Sequence, residues 1–103
     1  MIRDALTAAL PVLRAIGEET RVRIIGVFIE HGGSATVGEV QSALGLPQST
    51  VSRHLRILLD ARLLAVSRAG AQRVYRLDVQ AEALDAIDEL TGQVRQCQST
   101  PHP

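Results

Sequence analysis

Among its 103 residues the chain has no lysine, no tryptophan, one tyrosine, one phenylalanine and one cysteine. A single cysteine, Cys97, excludes an intrachain disulfide, so a disulfide-stapled secreted domain is ruled out and a cytosolic compartment is expected. Aromatics make up 2% of the residues while hydrophobics make up 46%, so any core must be built from Leu, Val, Ile and Ala. No apolar run approaches the roughly 20 residues that cross a bilayer, and no membrane partner is expected. The start, "MIRDALTAALPVLRAIG", carries Asp4 and lacks a signal-peptide pattern. Repeats, low-complexity segments and linkers are missing too, so the length implies one small domain, placed at 1–96, with a flexible tail at 97–103.

The chain also lacks net charge, with 11 arginines against 11 acids, but the balance is not local. Between residues 48 and 76 stand Arg53, Arg56, Arg62, Arg68, Arg73 and Arg76 against Asp60 alone, a net of +5. From 77 onward Asp78, Glu82, Asp85, Asp88 and Glu89 face only Arg95, a net of −4. The middle of the chain is therefore a basic block of the kind that suits a polyanion. Arginine in particular forks onto phosphate and guanine.

Periodicity gives the order of elements. Residues 3–16 repeat Ile2, Leu6, Leu10 and Leu13 at helical steps, with Pro11 predicting a kink or fresh start near residue 10. "GEETRVRIIGVFIEHGG" predicts a second helix with Val22, Ile25, Phe28 and Ile29 as its apolar face and a stop at Gly32-Gly33. "TVGEVQSALG" opens with Thr36 and Glu39 in capping-box spacing and closes on Gly45. A fourth helix begins at Pro47. "LLAVSRAGAQRVYRL" alternates around Ala-Gly-Ala and predicts a hairpin, and a last helix runs from Val79 to about Gln96. The expectation is a mainly α fold with a two-stranded β-hairpin, α-α-α-α-β-β-α: a winged helix-turn-helix.

On a helical wheel of residues 47–60, Val51, Leu55, Leu58 and Leu59 share a core-facing stripe of about 100°. Opposite lie Ser49, Ser52, Arg53 and Arg56, with Gln48 and Thr50 at the N-terminal end. Gln can pair with adenine, Arg with guanine, and Ser or Thr with base or phosphate, so this face reads as the one that enters a DNA major groove. His54 lies beside the core stripe and reads as a packed residue. Arg68 and Arg73, with Arg76, sit on the hairpin where a wing would straddle the phosphate backbone. Ser52, His54 and Asp60 spread around one helix and cannot converge as a catalytic triad, so no enzyme is expected.

"LRAIGEETRVRIIGVF", "VQSALGLPQSTVSRHLRILLDARLL" and "SRAGAQRVYRL" together resemble the ArsR/SmtB family of bacterial winged-helix repressors, from about Leu10 to Leu90. The resemblance implies a homodimer joined through its first and last helices, and a cytoplasmic, nucleoid-associated repressor. The stripe Leu6, Leu10, Leu13, Leu84, Ile87, Leu90 and Val94 exceeds what one small core needs and is read as that dimer interface. The implied partner is a double-stranded, palindromic DNA operator.

The departures concern caps and sensing. Pro47 stands where the family usually has Ser, and Ala71 where it usually has Arg after the wing glycine. Thiophilic members carry Cys-Val-Cys where this chain has Thr36, Val37 and Gly38. The zinc positions of the last helix fall on Val79, Ala81, Gly92 and Arg95, none of them a ligand. Cys97 and His102 remain as an atypical two-ligand pair, read as a free thiol and a tail histidine, so no cofactor or metal is expected. The alternatives are a winged-helix protein-interaction module and a metal sensor using an atypical site.

Overall fold

The computed structural model describes residues 2–99, so His102 lies outside the described residues. Helix α1 (Ile2–Ile16) buries Ala5, Ala9, Val12 and Ala15 and leaves Ile2, Leu6, Leu10 and Leu13 exposed. It runs through Pro11 without the expected fresh start. Pro11 is exposed, so the carbonyl one turn earlier that loses its N–H partner lies on the solvent side.

Glu18 caps α2 (Glu19–Glu30) by accepting the Arg21 N–H at 3.1 Å. Of the expected α2 face, Phe28 is buried and Ile25 packs partly against the core, while Val22 and Ile29 are 53% and 64% exposed and Ile24 and Val27 are buried in their place. Apolar residues occur all round this short helix, and packing against its neighbours chooses among them. After α2 the Gly33 N–H bonds the Phe28 carbonyl at 2.7 Å while Gly33 takes φ 105°, a left-handed turn that favours glycine.

That turn delivers a short strand, β1 (Ser34–Ala35), which pairs antiparallel with β3 (Gln72–Leu77). Together with β2 (Leu64–Ala69) the sheet has three strands in the order β1-β3-β2, one more than the expected hairpin. Two residues are too few to display alternation, so nothing local announces β1. The hairpin turn holds Gly70 at φ 65°, as a tight two-residue connection requires.

Helix α3 (Val37–Leu44) forms the expected capping box: Thr36 Oγ1 accepts the Glu39 N–H and Glu39 Oε1 accepts the Thr36 N–H. Gly45 ends it in the left-handed conformation, and Pro47 precedes α4 (Gln48–Asp60). The last helix, α5, spans Ala81–Ser99, starting two residues after Val79 and continuing past the expected end so that Cys97 is helical. Only residues 100–103 of the expected tail remain, and they lie outside the described residues.

One core joins α1, through Val12 and Ala15, to α2, α3, α4 and the sheet, with Ile24, Phe28, Val40, Val51, Leu55, Leu58 and Leu63 its fully buried large side chains. A separate cluster of Ala5, Ala9 and Ala86 lets α1 and α5 approach closely. The chain is long, 59 × 24 × 21 Å with a radius of gyration of 16.1 Å. A compact domain of this length has about 13 Å.

Removing the Thr36 hydroxyl (Thr36→Ala) should lower stability to urea by about 1 kcal/mol. The Thr36 backbone and side chain hold the Glu39 carboxyl below its ordinary 4.5, and the nearby His31 adds to this against a smaller effect of burial. A lowered folded-state value stabilises above the unfolded value and fades as pH falls through the folded one. Glu39→Gln, which keeps an acceptor for Thr36, should therefore lose less stability below pH 4.5 than the parent in acid-denaturation curves.

Candidate nucleic-acid interface

Helix α4 owes its orientation to the four residues it buries, Val51, His54, Leu55 and Leu58. With that face inside, Gln48, Ser49, Ser52, Arg53 and Arg56 are exposed and Thr50 is half-buried. Leu59, expected in the buried stripe, is only partly covered, and His54 takes its place in the core. Pro47 makes no side-chain cap, so the first N–H groups of α4 keep no partner from that residue. Those donors and the helix dipole favour an anion at this end.

The hairpin brings its arginines to the same place. Arg68 and Arg73 are direct cross-strand partners and both are exposed. Like charges facing each other across a sheet are destabilising, and a polyanion relieves that repulsion. Arg68 and Arg73, Gln48 and Ser52 of α4, and Thr36 and Gly38 at the start of α3 line one cleft of about 410 Å³. None of its lining residues is acidic.

Not every expected residue lies in this cleft. Ser49, Thr50, Arg53 and Arg56 do not line it. Arg56 Nε lies 3.4 Å from Asp60 Oδ1, an exposed pair one helical turn apart that is weak enough to open. Arg76 lies 3.8 Å from Asp78. Sequence reasoning missed Thr36, Gly38 and Gln72 as cleft residues. The Gln72 signal was available, since it is the polar residue next to the hairpin turn. Thr36 was legible only as a cap.

Comparison with known proteins places this geometry in a family. Residues 16–67 match the family described as a helix-turn-helix domain. The HTH-type transcriptional repressor SmtB of Mycobacterium tuberculosis is 37% identical over 75 residues, 73% of this chain and 54% of that repressor. The HTH-type transcriptional regulator MJ1325 of Methanocaldococcus jannaschii is 32% identical over 84 residues, 80% of this chain and 93% of the relative. The chain belongs to the ArsR/SmtB family. The crystal structure of the transcriptional repressor PagR of Bacillus anthracis matches with a TM-score of 0.67 at 25% identity, covering 85% of this chain and 98% of that one.

ArsR/SmtB proteins are transcriptional regulators that bind DNA, and the winged helix-turn-helix expected of this chain is the fold it has. The family's usual metal sites do not fit its residues. Thr36 Oγ1 is committed to its capping bond and Gly38 has no side chain. Val79, Ala81, Gly92 and Arg95 offer no ligand. Among the described residues no three His, Cys, Asp or Glu side chains cluster as a metal would need. No described helix is long and apolar enough to cross a membrane.

Arg68→Ala or Arg73→Ala should flatten the slope of log affinity against log salt by about one unit, measured by fluorescence anisotropy on a duplex.

Proposed function

We propose that the chain is a homodimeric, sequence-specific transcriptional repressor that reads a palindromic DNA operator. Helix α4 enters the major groove with Gln48, Ser49, Thr50, Ser52, Arg53 and Arg56, and the wing holds the adjacent backbone with Arg68 and Arg73. The observation that carries this reading is the cleft. It joins the N-terminal end of α4 to two mutually repelling arginines with no acid among its lining residues. The dimer is supported by what α1 and α5 leave outside. Leu6, Leu10 and Leu13 on α1 and Leu84 and Val94 on α5 are exposed, on a helix pair whose own contact is filled by alanines. Ile87 and Leu90 are half-buried. Large apolar surface of this kind marks an association face, and a protomer this extended gains compactness by burying it. Two-fold pairing would set the two α4 helices about one DNA turn, ~34 Å, apart. Repression follows from occupying a promoter.

Arg53→Ala should cost about 1–3 kcal/mol of affinity for a duplex selected by the wild-type chain while leaving random-sequence binding nearly unchanged. Unaltered affinity for the selected duplex would remove α4 from the interface. Leu6→Glu or Leu84→Glu should turn a dimer into a monomer in sedimentation velocity and weaken operator binding with it. A monomeric wild-type chain at micromolar concentration would contradict the proposed assembly.

A further inference from the structure

Beyond the apolar core that Val12 and Ala15 of α1 share with Val51, Leu55 and Leu58 of α4, a polar side chain links the two helices inside each protomer. Arg21, on α2, is only 15% exposed at its side chain. Its Nε donates to the Ala15 carbonyl in the last turn of α1, where helix geometry leaves carbonyls without an internal partner. Its NH1 lies 3.4 Å from Nδ1 of His54 on α4. Because guanidinium can only donate, this contact is a hydrogen bond only with Nδ1 as acceptor and the ring proton on Nε2. Glu18 completes the group, with Oε2 4.0 Å from Arg21 NH1 and 3.8 Å from His54 Nδ1. Burial works to raise the Glu18 carboxyl, but the Thr20 and Arg21 backbone groups hold it below its ordinary value. The charge that faces Arg21 is therefore kept.

We propose that Arg21 is a positioning residue that registers the recognition helix against α1 of the same protomer. It thereby fixes the separation of the two recognition helices in the dimer. The inference rests on the dimeric operator-reading function and names what sets its geometry. His54 is 7% exposed and immediately follows Arg53, so the clamp acts next to the DNA-reading face. Two packed helices can slide against each other along apolar surface at small cost. A planar fork held at both ends removes that freedom, since its donors are satisfied in one arrangement only. Loss of the clamp should therefore harm simultaneous binding of two half-sites and spare binding to one. A residue that only stabilises the fold would not separate the two.

The test uses the full chain and two duplexes. One is enriched by the wild-type protein from a randomised pool; the other has one arm of its inverted repeat scrambled. The wild-type chain should prefer the two-arm duplex by about 100-fold or more. Arg21→Met should reduce that preference at least tenfold with one-arm affinity nearly unchanged. His54→Leu, an apolar replacement suited to a buried position, should act like Arg21→Met and serves if that variant does not fold. His54→Gln, which restores an acceptor, should stay within threefold of the parent. If the preference survives in folded Arg21→Met or in His54→Leu, the clamp is overturned. If the wild-type chain itself shows no two-arm preference, the dimeric reading fails first and takes the clamp's purpose with it.

Discussion

The burial of Val51, Leu55 and Leu58 of α4 in one cluster with Ile24 and Phe28 of α2 decides which way every other residue of α4 faces. Each such side chain contributes roughly 1.5–3 kcal/mol when taken fully out of water. Turning α4 by one residue, about 100°, would put Ser52 and Arg56 into that core and expose Val51 and Leu58. The polar face is therefore held outward by the hydrophobic one. The α3–α4 turn, fixed by Gly45 and Pro47, and the start of β2 straight after α4 leave little freedom in where that face lies. The wing then stands beside it because β2 follows α4 directly and β3 returns along both β2 and β1.

Charge is organised around the same scaffold. The neutral total conceals a basic α4-and-wing segment and an acidic α5, and the three-dimensional structure keeps the basic pair Arg68 and Arg73 in a cleft without acids. In the proposed assembly the dimer face and the DNA face occupy different helices, and the part-buried Arg21 group, which touches Ala15 of α1 and His54 of α4, is where their relative geometry is set.

What was legible in the sequence was what is written locally. The capping box needs only Thr36 and Glu39, three residues apart, and both bonds form as expected. The hairpin around Gly70 and the polar face of α4 follow from short periodic patterns. What was illegible depended on distant partners. Strand β1 exists because β3 arrives beside it some 40 residues later. On α2 the sequence pattern points correctly to Phe28, but apolar side chains surround the helix and only its packing selects Ile24 and Val27 over Val22 and Ile29. His54 was readable as packed, but the Arg21 that it meets lies 33 residues earlier in the chain. The lesson for the site is similar: the polar face of α4 was visible, while the cleft that joins Thr36 to the wing was not.

The most direct measurement is a titration of the ¹⁵N-labelled chain with a duplex enriched from a randomised pool, following backbone and arginine side-chain signals. Shifts should concentrate at residues 48–56 and at Arg68 and Arg73, with the outer faces of α1 and α5 unmoved. Shifts confined to α1 and α5, with α4 and the wing silent, would contradict the assignment of the DNA-binding face.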